Sequence, residues 1–200
     1  MTSPSNPKQK VRDEIRQRIR HVTSVLRANW SKRAMEQLLS VDAIAKASIV
    51  FLFASLPSEI DTDPIFERLR SSGKRVAMPI LFKNDPLMHA VFVEKLEQLH
   101  MNPLGFREPP DNQFKRLEPL FLDVAIVPGV AFDRSGHRLG RGQGCYDVFF
   151  QRTKSKAVRI GLFFSIQEVE KVPIESFDEP LDWIVTEKEI IRCNTRPAKT

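Results

Sequence analysis

DVAIVPGVAFDRSGHRLGRGQGCYDVFFQR, residues 123–152, joins a buried strand to a helix through a glycine-rich turn. DVAIVP is a continuous apolar run, the pattern of a strand covered on both faces. CYDVFFQR carries the helical stretch. Four of the eight glycines in the chain, Gly136, Gly140, Gly142 and Gly144, crowd into residues 136–144, in the turn between them. A turn of that composition exposes backbone N–H groups and lets an anion approach closely. Arg138, Arg141 and Gln143 are interleaved with the glycines, so flexible backbone alternates with side-chain donors. The glycine spacing misses G-x-G-x-x-G, and no Lys-Ser or Lys-Thr follows, which excludes a dinucleotide fingerprint and a Walker loop. A flexible hairpin on a sheet edge is the plainer alternative to a ligand site.

Outward from this unit the chain alternates strands with helices. SIVFLFA (48–54), RVAMPIL (75–81), AVRIGLFF (157–164) and DWIVTE (182–187) are further buried strands, and LMHAVFV (87–93) reads as an edge strand. Val11, Ile15, Ile19, Val22 and Leu26 recur at spacings of three and four, which predicts one amphipathic helix through them. A second helix is expected from Ser31, carrying Ala34, Leu38 and Leu39 inward. Asp63 is expected as an N-cap with Pro64 at the first helical position, and that helix ends near Gly73. Residues 102–119 hold four prolines and read as a loop. The expected fold is α/β, a three-layer helix–sheet–helix sandwich with a mostly parallel central sheet.

Length and composition bound the function. Two hundred residues, 42% hydrophobic and 28% charged, make one sizeable domain. The longest apolar run, residues 47–56, is half of what a bilayer crossing needs, and MTSPSNPKQK has no apolar signal core. Cys145 and Cys193 form neither a disulfide framework nor a zinc spacing, so the cytoplasm is the expected compartment. His21, His89, His100 and His137 form no ligand cluster. The net charge of +6 is carried by residues 1–50, with ten Lys and Arg against four Asp and Glu; the remainder holds 21 of each sign. An anion is the expected neighbour of that basic segment, and a solvated basic face is the alternative. A nucleic-acid surface is a further reading, but no aromatic-rich RNA motif accompanies it.

PGVAFDRSGHRLGRGQGCYDVFF (128–150) resembles the C-terminal motif of the 5-formyltetrahydrofolate cyclo-ligase family, P-G-x-A-F-D-x-x-G-x-R-L-G-x-G-x-G-Y-Y-D. Lys8 and Arg12 match its K-x-x-x-R, SEIDT (58–62) its E-(I/V)-D/E-T segment, and GFREP (105–109) its G-I-x-E-P loop. The resemblance covers nearly the whole chain. It implies a single domain over 8–192, flexible ends at 1–7 and 193–200, and a NagB/RpiA/CoA-transferase-like sandwich. It also implies an ATP- and Mg²⁺-dependent enzyme that cyclises 5-formyltetrahydrofolate to 5,10-methenyltetrahydrofolate. The products are released with ADP and phosphate, and the formyl oxygen is phosphorylated on the way. Its partners would be reduced folate and ATP, with no nucleic acid, no membrane and a monomeric state.

By the same resemblance Lys8 and Arg141 are catalytic. The ATP site comprises Lys8, Arg12, Arg138, Leu139, Gly140, Arg141, Gly142, Gln143, Gly144, Cys145 and Tyr146. Substrate contacts come from Ala54, Glu59, Arg141, Gly142, Gln143, Gly144 and Cys145. Lys8 and Arg12, four apart, share one side of a helix. A carboxylate such as Glu59 can accept paired N–H bonds from a pterin, or it can simply open the helix near Asp63. Asp147 and Asp178 are the implied metal ligands, and Asp147 can alternatively cap the helix that follows it. The family has a second tyrosine where this chain has Cys145, and an arginine where it has Val148. Those departures support an alternative, a divergent member that binds nucleotide but has lost or changed folate cyclisation.

Overall fold

The computed structural model describes residues 6–82, 85, 87–103, 105–110 and 116–194. Helices α1 (Pro7–Arg20), α2 (Ser24–Leu39) and α3 (Asp42–Lys46) precede strand β1 (Ile49–Phe51). Helix α4 (Asp63–Ser71) leads to β2 (Arg75–Leu81) and β3 (Met88–Val93). Three two-residue strands follow, β4 (His100–Met101), β5 (Arg107–Glu108) and β6 (Arg116–Leu117). Then come β7 (Val124–Val127), the short pair β8 (Ala131–Phe132) and β9 (Arg138–Leu139), and α5 (Cys145–Thr153). Strands β10 (Val158–Leu162), β11 (Trp183–Val185) and β12 (Ile190–Arg192) complete the order. The expected flexible ends fall mostly outside the described residues.

The main sheet runs β12-β11-β10-β7-β1-β2-β3-β6. Its centre, β11-β10-β7-β1-β2, is parallel, and the pairs β11–β12, β2–β3 and β3–β6 are antiparallel. Period-two alternation sends side chains to two cores. Val50, Val76, Met78, Val124, Ile126 and Ile160 pack under α2, α3 and α4. Phe51, Ala77, Ala125, Val127 and Ile184 pack under α5, where Phe51 stacks on Phe149 with centroids 5.2 Å apart. The result is the expected three-layer α/β sandwich. Helix α1 lies outside these layers, on the β8–β9 hairpin, where Ile15 meets Ala131, Leu139 and Val172.

Local details differ from the sequence expectations. The single helix expected through Leu26 is two, because Thr23 interrupts it and its side chain accepts from Leu26 N at 3.2 Å. Leu26 is therefore exposed, and α2 begins seven residues before the expected Ser31. Thr62, not Asp63, occupies the N-cap of α4. Asp63 pairs instead with both terminal nitrogens of Arg107, at 2.9 and 2.6 Å. Strand β3 is not an edge, since the two residues of β6 pair outside it. The proline-rich loop contributes β5 as well as β6.

Candidate active site

The central parallel strands end at a cavity of about 180 Å³. The chain leaves β1 towards β2 on one side, while β7 pairs on the other, so β1 and β7 flank a topological switch point. Open α/β sheets place ligands at such a crevice, beyond the carboxyl ends of the strands. Phe53 and Ala54 follow β1, Pro128 and Gly129 follow β7, and Pro79, Ile80 and Leu81 end β2; all line the cavity. Arg138, Gly140, Arg141, Gln143, Gly144, Cys145, Tyr146 and Asp147 supply its opposite wall.

The glycine-rich loop needs glycine at two of its turns. Gly142 has φ +120° and Gly144 φ +63°, values that side chains rarely adopt. Gly144 then serves as N-cap of α5 without a side chain to satisfy the first amides. The N–H groups of Arg141, Gly142, Gln143 and Gly144 donate to no described residue. Unspent donors at a helix N-terminus favour an anion.

Arg138 is the buried cation of the site. Its Nη2 donates to Asp147 Oδ1 at 2.8 Å, and its guanidinium lies over the Tyr146 ring at 5.6 Å. Its Nε is buried and has no hydrogen-bond partner, which is costly unless a ligand supplies an acceptor. Arg12, also buried, reaches the loop from α1, and its Nε donates to Gly140 O at 2.9 Å. The predicted pairing of Lys8 with Arg12 on one helix side is present, but Lys8 points to a different neighbour. Its Nζ donates to Glu175 at 2.6 Å and Asp178 at 2.7 Å. Burial opposes the Lys8 charge, yet these two carboxylates outweigh it and raise its pKa above the usual lysine value.

On the β1 side, Glu59 Oε1 accepts from Arg141 Nη2 at 2.8 Å and Oε2 accepts from Leu56 N at 2.9 Å. Glu59 is thus a cavity residue held by a turn, not a helix cap. Thr62 fixes that turn, because its hydroxyl donates to Phe53 O and accepts from Ser55 N. Burial raises the Tyr146 pKa, and the nearby Glu59 charge adds to the shift. Burial likewise pushes the Cys145 thiol up, with the Asp147 charge contributing.

Asp147 does not cap α5. It sits inside the first turn, and its Oδ1 accepts from Arg138 and from Glu179 N at 3.0 Å. Its Oδ2 accepts no hydrogen bond from a described residue, and Asp147 lines the cavity. That donor set suits magnesium, which takes one or two carboxylates and completes its shell with phosphate oxygens and water. Asp178 fits less well, since Oδ2 is engaged by Lys8 and by Glu175 N. Among the described residues no three His, Cys, Asp or Glu side chains converge. Leu139 is a core residue beneath α1, and Gly142 lies beside the Arg12 guanidinium; neither lines the cavity. Glu108, inside GFREP, does line it, although the resemblance implies no role for it.

Sheet, loop and cavity together define an α/β enzyme with an anion-receptive site at its central strand ends. A family model for 5-formyltetrahydrofolate cyclo-ligases matches residues 4–187. The Escherichia coli K12 5-formyltetrahydrofolate cyclo-ligase is 36% identical over 179 residues, covering 88% of this chain and 98% of the relative. The Haemophilus influenzae enzyme of that name is 30% identical, covering 87% and 94%. The solution structure of Aquifex aeolicus 5,10-methenyltetrahydrofolate synthetase superimposes with a TM-score of 0.82 at 29% identity, over 98% of this chain and 97% of that one. This chain belongs to the 5-formyltetrahydrofolate cyclo-ligase family.

Proposed function

We propose that this protein cyclises 5-formyltetrahydrofolate to 5,10-methenyltetrahydrofolate at the expense of ATP, with Mg²⁺. The observation that carries the reading is the single cavity in which Glu59, Arg138, Arg141 and the glycine-rich loop meet. A formamide oxygen is a poor leaving group, so N10 of the folate cannot expel it unaided. Transfer of the γ-phosphoryl group to that oxygen makes it a phosphate leaving group, and catalysis is then mainly positioning and charge neutralisation.

In this assignment the loop N–H groups, Arg12 and Arg138 hold the phosphates. Arg138 Nε, buried and unpartnered, gains the acceptor that it lacks. Arg141 spans from Glu59 to the loop and neutralises the transferring group. Glu59 accepts the paired N–H groups of the pterin edge, a bidentate match. Ala54, Leu56 and Tyr146 give apolar contact along the ring. Lys8 reaches the triphosphate by exchanging its carboxylate partners for phosphate oxygens. A magnesium ion on Asp147, and on Asp178 once Lys8 has turned away, would supply charge neutralisation between the phosphates.

Purified protein with ATP, Mg²⁺ and 5-formyltetrahydrofolate tests the proposal by the absorbance of the methenyl product. ATP-dependent appearance of that band supports it. Nucleotide binding without any product would favour the divergent-member reading suggested by Cys145.

A further inference from the structure

Three carboxylates line the cavity, and two of them are spoken for. Glu59 is neutralised by Arg141, and Asp147 by Arg138. Glu108 is the third, and the residue is only 8% exposed. Its Oε2 accepts a long bond from Leu81 N at 3.3 Å, and Oε1 accepts none from a described residue. No ion pair involving it is present among the described residues. The neighbouring Arg107 cannot serve, because strand alternation turns it the other way, onto Asp63. A buried carboxylate without a cation is disfavoured in a folded protein, and such groups concentrate where chemistry uses them.

The reaction has an unmet need of that kind. When N10 attacks the phosphorylated formyl carbon, its lone pair forms the new N–C bond. The C–O bond to phosphate breaks, and phosphate carries away the former formyl oxygen. N10 must also release its proton, and the product keeps a positive charge spread over N5, the bridging carbon and N10. A carboxylate accepts the proton and balances the charge. Glu59 cannot occupy that position if it holds the pterin amino edge, since N5 and C6 lie on the opposite edge of the bicycle. Glu59 also lines the outer groove beside the cavity, together with Leu56, Phe106 and Arg107. Glu108 lines only the inner cavity, on the side of Leu81.

We infer that Glu108 is the catalytic base that takes the N10 proton and faces the cationic product. The inference rests on the cyclisation reading above. Two backbone bonds hold the segment before it, Asn102 N to Phe106 O at 2.9 Å and Gly105 N to Asn102 O at 3.0 Å. Pairing with β4 fixes Glu108 opposite His100. The carboxylate is thereby presented on a pinned hairpin rather than on a free loop, as positioned proton transfer requires.

The test is a single-turnover comparison of wild type with Glu108→Gln, following ADP and methenyl product separately. Gln keeps the volume and an acceptor for Leu81 N. General-base loss typically costs about 100-fold or more, so methenyl formation should fall by that factor. ADP should still form in the first turnover, and KM for ATP and folate should stay within about threefold. If Glu108→Gln fails to fold, Glu108→Ala supplemented with formate replaces it, and restoration of methenyl formation by formate is the expected result. Methenyl formation at the wild-type rate would overturn the role. So would parallel loss of ADP and product with raised KM values, or Glu108→Ala unmoved by formate. Absence of product from the wild type would instead remove the cyclisation reading itself.

Discussion

Removing the Asp147 charge should destabilise this protein more than any exposed charge change. The Arg138–Asp147 pair is 2.8 Å long, with side chains 3% and 11% exposed. Asn at 147 keeps the volume and the acceptor for Glu179 N, but leaves the Arg138 guanidinium buried without a counter-charge. Breaking such a pair from one side costs about 3–5 kcal/mol. For a chain of this length each kcal/mol moves the midpoint by about 2–4 °C. The low end of that cost therefore predicts a fall of about 6–12 °C for Asp147→Asn. Asp13→Asn is the control, since its 3.0 Å pair with Arg16 is half exposed on both sides. It should change stability by less than about 1 kcal/mol. The double variant Arg138→Met/Asp147→Leu should recover much of the loss, because an apolar pair of similar volume leaves no unpaired charge. Urea and thermal unfolding of these four proteins, together with the single variants Arg138→Met and Asp147→Leu, measure this. If Asp147→Asn matches Asp13→Asn, or if the double variant loses the sum of its singles, the compensated buried pair is not what holds this wall.

Arg141→Ala should impair catalysis by several kcal/mol of transition-state stabilisation while the melting temperature stays near wild type. The Arg141 side chain is 49% exposed, so a large melting shift would count against a purely catalytic role. ATP should raise the melting temperature mainly with Mg²⁺ present, by the equivalent of about 2.7 kcal/mol at 100 times Kd. Equal shifts with and without metal would remove Asp147 as a magnesium ligand. Cys145→Tyr should tighten folate binding roughly fivefold, about 1 kcal/mol, because Cys145 lines the cavity and a ring there can pack on the substrate. Unchanged affinity measured by titration would mean that position 145 does not touch folate.

The layered fold was legible because buried parallel strands write continuous apolar runs. β2 matches RVAMPIL residue for residue, and β7, β10 and β11 fall inside their expected segments. The α1–α2 break was not legible, because Ile15, Ile19, Val22 and Leu26 keep helical spacing straight through the capping Thr23. β12 was missed because IIR is only three residues long, and its pairing with β11 is a tertiary fact. The glycine-rich loop announced itself through composition. Its dependence on Arg12 did not, because a contact between Arg12 and Gly140 spans 128 residues and leaves no local pattern. The resemblance set Asp178 among metal ligands, whereas only the folded chain shows Lys8 resting on it. Glu108 stood in plain view inside GFREP, but what distinguishes it is a missing cation, and no sequence displays that.

Phosphoryl transfer at this site requires that the formyl oxygen leave as phosphate. One turnover of 5-formyltetrahydrofolate labelled with ¹⁸O in the formyl group, with unlabelled ATP in unlabelled water, reads it directly. The expected result is one labelled oxygen in each phosphate released, in step with methenyl product. Unlabelled phosphate accompanied by labelled water would show that the oxygen departs by another route, and the assignment of the loop, Arg138 and Arg141 to phosphoryl transfer onto folate would be wrong.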